Sequence, residues 1–237
     1  MSGEILTQEQ VGHLCNLLDG KVPPSTPPPE PKRNKSDDVE YVVKQVGKDV
    51  MKQLQTMHDG LARRFAAKIS KMLQSIVDVR LTTVDQLHYS EFVFGCDNPT
   101  CYNLIQFKFP NVEYQTIDKG NVILDISPTI ILAMIERMLG GGVEPSGPSR
   151  RPLTNIEWKL TQRIIDVLFE ELKDTWKDII DLECAVAQQE SNPQMIRFVE
   201  PNAPVVVICF QVDLIEQRGS ITLCIPVDFV KTLIEGE

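Results

Sequence analysis

The 237-residue sequence predicts a single α/β body made of two similar halves, each a helix, three strands and a second helix, behind a flexible N-terminal segment. Three observations lead there. The order helix–strand–strand–strand–helix can be read twice, from apolar repeats of three to four residues alternating with repeats of two. The third strand of each half runs into its closing helix with similar letters, NVILDISP at 121–128 and SITLCIP at 220–226. Each half alone has only about 100 residues and would leave its sheet half covered. Two halves paired about a pseudo-two-fold axis would give one mixed sheet with helices packed on it; two independent domains are the alternative.

Three regions are expected: 1–19, 20–38 and 39–237. In the first, Ile5, Leu6, Val11, Leu14, Leu17 and Leu18 recur at helical intervals, and Thr7 with Gln10 imitates a capping box. So short a helix is marginal in water and would firm up only against a partner; a frayed terminus is the other reading. The second carries prolines at 23, 24, 27, 28, 29 and 31, which forbid helix and sheet ladders and predict an extended tether.

The body opens with a long apolar stripe, Val43, Val46, Val50, Leu54, Met57, Leu61, Phe65, Ile69, Met72 and Ile76, weakened but not broken by Gly47 and Gly60. Strands follow at 79–89, 102–109 and 121–126. The middle one places Ile105, Phe107 and Phe109 on one face, Gln106 and Lys108 on the other. Ser127 as N-cap and Pro128 at the first helical position start a helix that runs through Leu139 and stops at Gly140–Gly142. The second half begins with a capping box, Thr154 with Glu157, flanked by an apolar staple of Leu153 on Trp158. Its helix carries Ile156, Leu160, Ile164, Leu168, Leu172 and Trp176; strands are expected at 182–189, 204–214 and 220–225, and a short helix at 227–234.

A formal net charge of −9 argues against nucleic acid or anionic lipid as partners, because no excess of cations is available to neutralise phosphates. The basic clusters at 32–35, 63–64 and 150–151 are short and locally balanced by acids. No run approaches the roughly 20 apolar residues of a membrane helix, and the acidic N-terminus lacks a secretory pattern, so a cytoplasmic protein with no membrane insertion is expected. The six cysteines contain no CxxC pair, and His13, His58 and His88 make no zinc spacing with them. A Cys96–Cys101 disulfide is disfavoured in a reducing cytoplasm, and Cys209 and Cys224 read as small core hydrophobes. No metal or cofactor is expected. The nucleophile-elbow, zincin, phosphate-loop and dinucleotide patterns are absent, and the Gly140–Gly142 run follows a helix where phosphate-cradling glycines precede one. No catalytic residue is assigned.

Several stretches together resemble the middle domain of the FliM family of flagellar motor switch proteins: HDGLARRFAAKISKML, VDQLHYSEFVFGCDNPTCYNL, ILDISPTIILAMIERMLGG, RPLTNIEWKLTQRIIDVLFEELKDTWKDI and ESNPQMIRFVEPNAPVVVICFQVDL. The likeness is collinear over about 40–235, and ILTQEQVGHL at 5–14 is similar to the family's N-terminal segment. It implies a CheC-like α/β/α fold with internal pseudo-symmetry. It also implies a place among neighbouring copies in the cytoplasmic ring of the flagellar basal body, linking the rotor protein FliG to the phosphorylated chemotaxis regulator CheY and so controlling rotation direction. By the same resemblance Gly140, Gly141, Gly142 and Val143 form the rotor-docking loop. The resemblance likewise implies that Ile5, Leu6, Thr7, Gln8, Val11 and Leu14 bind the regulator.

Three departures accompany the resemblance. Val143 stands where the family's GGxG loop has its last glycine, Gln10 and Gly12 replace an acidic pair near the regulator-binding helix, and the family's second domain, which pairs with FliN, has no counterpart here, so a FliN contact is not expected. A CheC-type phosphatase is the enzymatic alternative. It needs Glu-x-x-Asn on a helix, but no Glu has Asn three residues on, and Glu157 is followed by Leu160. A generic adaptor of the same fold is the other alternative.

Overall fold

In the computed structural model, residues 46–110, 120–141 and 151–235 are described. Their elements are α1 (Lys48–Leu73), β1 (Val77–His88), α2 (Tyr89–Gly95), β2 (Cys101–Lys108), β3 (Gly120–Ile126) and α3 (Pro128–Met138), then α4 (Asn155–Trp176), β4 (Glu183–Glu190), β5 (Pro204–Leu214), β6 (Gln217–Pro226) and α5 (Val227–Glu235). A 3-10 turn, Pro193–Met195, joins β4 to β5.

The strands make one six-stranded sheet in the order β1-β5-β6-β3-β2-β4. Every pairing is antiparallel, which corrects the expectation of a mixed sheet. At the centre the symmetry requires it: a strand that meets its own symmetry mate across a two-fold axis normal to the sheet must run against it. β3 meets β6 in this way, with Leu124 opposite Leu223 at the axis. Exchanging β1 with β4, β2 with β5 and β3 with β6 returns the same order reversed. The symmetry extends to irregularities, since the β1–β5 ladder slips between Leu81 and Thr83 and the β2–β4 ladder slips at the equivalent place, between Leu104 and Ile105. Each half lends its first strand to the other half's second strand. That exchange rules out two independent domains.

Along α1 the buried residues are Leu54, His58, Leu61, Ala62, Phe65, Ile69 and Leu73. The stripe takes in the fully buried His58 beside Met57, which packs half-buried on the core, while Ile76, expected at its end, is 87% exposed. The helix has stopped by then: Gln74 turns left-handed at φ 49, its N–H returning to the Ser70 carbonyl. Gly47 occupies the N-cap position, so the helix enters only at Lys48. The capping box predicted for α4 forms, with Thr154 Oγ1 accepting from the Glu157 N–H and the Glu157 carboxylate accepting from the Thr154 N–H at 2.7 Å. Leu153 and Trp158 pack half-buried on the core, but Ile156, placed in the sequence stripe, faces solvent.

The alternation predicted for β2 is present: Ile105 and Phe107 are buried, Gln106 and Lys108 exposed. One sheet face, carrying Ile105, Phe107, Leu124, Ile126, Val206, Ile208, Phe210 and Leu223, packs with α1, α3, α4 and α5 into the main core. The opposite face carries Tyr102, Ile123, Val205, Val207 and Cys224 under the short α2 and residues 196–199. The layers are therefore unequal. Between α1 and α4 the Glu171 carboxylate, 1% exposed, is held by Arg64 Nε at 2.6 Å and Lys68 Nζ at 2.9 Å. Hydrogen bonds to Glu171 and Glu170 raise the Lys68 pKa. Two half-exposed cations thus share the one buried carboxylate, so Glu171 keeps a partner if either is lost.

Candidate functional site

α3 is anchored by Ile130, Ile131, Met134 and Ile135, all buried against the sheet. Its start follows the sequence reading in position but not in chemistry. Pro128 takes the first helical position and Ser127 the cap, yet the Ser127 hydroxyl makes no capping bond; its carbonyl accepts from the Ile130 and Ile131 N–H groups.

The far end of α3 is a glycine corner with a defined geometry. Gly140 is left-handed at φ 80. Its N–H donates to the Arg137 carbonyl at 3.1 Å, and the Gly141 N–H donates to the Glu136 carbonyl at 2.9 Å. Together these bonds are a Schellman motif, which satisfies carbonyls a helix end would otherwise leave open. Each glycine is required for its own reason. Gly140 occupies backbone space that L-residues rarely enter, whereas a Cβ on Gly141 would sit 2.9 Å from the Glu136 carbonyl oxygen. Arg137 closes the turn from outside by donating to the Gly141 carbonyl at 3.2 Å. Between helix and corner, Leu139 is 68% exposed, a large apolar side chain held outward on a rigid support.

Of the residues expected to form this site, Gly140 and Gly141 are therefore at the corner, while Gly142 and Val143 lie outside the described residues. Ile5, Leu6, Thr7, Gln8, Val11 and Leu14 also lie outside them. Sequence reasoning missed Leu139 and Arg137. Leu139 fits the apolar period of α3, and period alone does not separate a last core residue from an outward one.

Chemistry elsewhere is sparse. Among the described residues no group of three or more His, Cys, Asp or Glu could hold a metal ion. No described helix is long and apolar enough to cross a membrane. Glu157, the carboxylate best placed on a helix for a phosphatase role, is engaged on every side. Arg151 grips it at 2.6 and 2.8 Å, and the Thr154 N–H and hydroxyl bond to it as well. The Arg151 guanidinium is the main cause of its pKa falling to about 2. Cys96, Cys101, Cys184 and Cys224 are free thiols whose pKa burial drives upward, the opposite of what a nucleophile needs.

The family model for flagellar motor switch protein FliM matches residues 47–236. The chain is 30% identical to the flagellar motor switch protein FliM of Bacillus subtilis over 242 aligned positions, covering 99% of this chain and 68% of the relative. It is 28% identical to the Treponema pallidum protein of the same name, covering 98% and 65%. The chain thus spans about two thirds of the length of these relatives. Among solved structures, the FliM middle domain from H. pylori superposes with a TM-score of 0.71 at 24% identity, covering 81% of this chain and all of that one. A chain in the H. pylori FliG–FliM complex gives 0.71 at 26% identity, covering 78% and 98%. Sequence and fold agree, and the chain belongs to the flagellar motor switch protein FliM family.

Proposed function

We propose that the chain is a non-catalytic component of the flagellar motor switch, seated on the cytoplasmic side of the basal body, where it docks the rotor protein FliG through the glycine corner. The observation that carries this reading is the Schellman motif at Gly140–Gly141 presenting Leu139 outward. A fixed apolar knob on a pre-ordered turn loses little conformational freedom on binding, which is what a docking contact requires. The related chain in the H. pylori FliG–FliM complex supports the choice of partner. Residues 5–14, with Ile5, Leu6, Thr7, Gln8, Val11 and Leu14, capture phosphorylated CheY, and the 20–38 tether raises the regulator's effective concentration near the body.

The corner glycines are poor test positions, because the crowding at Gly141 would distort the turn whatever binds there. Leu139→Ser leaves the turn intact. Titrated by calorimetry against FliG, that variant of the full chain should bind about tenfold more weakly, with an unchanged unfolding midpoint. Wild-type affinity would show that the corner is not the dock. For the regulator, titration of a 1–20 peptide against phosphorylated CheY should show phosphorylation-dependent binding; its absence at millimolar peptide would remove that half of the reading. The phosphatase alternative gains nothing from the site, since the hydrogen-bonding capacity of Glu157 is already used in capping α4.

A further inference from the structure

Two surface features at opposite ends of the body are unexplained by the glycine corner, and they are complementary. One is a groove of about 320 Å³ between α2 and the segment that follows β4, lined by Val93, Phe94, Ile196, Arg197, Val199 and Pro201 among others. Phe94 is 94% exposed, and the adjoining Met195 is 66% exposed. Arg197 is exposed at the same groove and has no ion pair among the described residues. Hydrogen bonds fix the groove's walls: the Tyr89 hydroxyl donates to the Ile196 carbonyl at 2.9 Å, and the Ser90 N–H donates to the Pro201 carbonyl at 2.8 Å.

The other feature is the tip of the β5–β6 hairpin. Leu214 pairs with Gln217, so the connection is only Ile215 and Glu216. Strands expected at 204–214 and 220–225 imply a longer connection. Ile215 sits at φ 57, a conformation that strongly disfavours a β-branched side chain, and it is exposed. Glycine is the residue a tight hairpin asks for there. A strained apolar residue held at an exposed tip calls for a partner surface. Beside it stands the exposed Glu216, which has no ion pair among the described residues.

We infer that the hairpin tip of one copy docks in the α2 groove of the next, Ile215 against Phe94 and Val93, Glu216 against Arg197. This rests on the reading of the chain as one of many copies in a motor ring, and names the contact. The occupant is a second copy because the chain carries both halves of the match, apolar to apolar and acid to base. The groove adjoins the Pro204 end of β5 and the tip extends from the Leu214 end, so the two lie on opposite ends of an eleven-residue strand, about 35 Å apart. A contact between different surfaces at opposite ends is heterologous, and repeated heterologous contacts close into rings or run on as filaments.

The test is sedimentation velocity of the full chain at rising concentration and low salt. Arg197→Glu and Glu216→Arg should each weaken self-association about tenfold, and the double variant R197E/E216R should recover most of it. Ile215→Gly should weaken association while raising the unfolding midpoint, a combination a purely structural role would not give. Unchanged association in either single variant, no recovery in the double, or no association at all near 1 mM would each overturn the inference. FliG binding by the same samples separates the two ideas. If the unmodified chain fails to bind FliG, the motor-switch reading falls. If FliG binds normally while the charge swap has no effect, only the hairpin contact falls.

Discussion

Replacing Asp125 with asparagine should uncover a pH dependence of stability that the wild-type chain conceals. Asp125 lies on β3, 7% exposed, with the Thr100 hydroxyl donating to its Oδ1 at 2.7 Å. Burial is the main cause of its pKa rising to about 6; the Thr100 bond opposes the rise and Asp97 adds to it. His58 is the mirror case. It is fully buried on α1, edge-on to Trp176 and bonded through Nδ1 to the Leu54 carbonyl, and burial lowers its pKa to about 4. Between pH 4 and 6 the folded chain holds a proton on Asp125 that the unfolded chain has released, so this group makes stability fall as pH rises. Over the same window the unfolded chain holds a proton on His58 that the folded chain lacks, so that group makes stability rise with pH. Each contributes about 1.4 kcal/mol per pH unit, with opposite sign, and together they nearly cancel. Asparagine keeps an oxygen for the Thr100 hydroxyl and removes the titration. Urea unfolding of Asp125→Asn at pH 4.5, 5.25 and 6 should therefore show stability climbing by about 2 kcal/mol relative to wild type across the series. Parallel pH profiles for the two proteins would refute the assigned burial of the Asp125 charge.

Further outcomes follow from the same structure. Gly140→Ala should lower stability by about 1–2 kcal/mol, read from urea unfolding, because alanine must adopt the left-handed turn. Glu171→Ala should cost about 1–3 kcal/mol in the same assay, since Arg64 and Lys68 lose their shared partner; their partial exposure keeps the loss at the low end for a broken buried pair. Ile215→Gly should raise stability by about 1 kcal/mol, measured by thermal unfolding, through release of the unfavourable turn conformation. Thr154→Ala should cost about 1 kcal/mol by removing half of the α4 capping box, with helix content at the N-terminus followed by hydrogen exchange.

Much of the architecture is legible in the letters because its determinants are local. The capping box at Thr154, the proline start of α3 and the alternation in β2 depend on neighbours in sequence, and each stands where it was read. Strand direction is not local. Nothing in NVILDISP or SITLCIP says that those strands run against each other; the axis between them decides it. α2 was missed because its cap is His88, outside the usual Ser, Thr, Asp and Asn set, although Glu91 completes the box from the third helical position. Hydrophobicity places Met57 in the α1 stripe, where it packs half-buried, but does not point to His58, which the fold buries completely with its Nδ1 bonded within the helix. At the candidate site, the glycine run announced a stop. It could not announce which side chain the stop would hold out to a partner, because that depends on how α3 lies on the sheet.

The exchange of outer strands has a mechanical meaning. Pulling the two halves apart would require unzipping β1 from β5, β2 from β4 and β3 from β6 together, so the sheet offers no seam along which to bend. A push delivered at one rim is carried to the other as motion of the whole block.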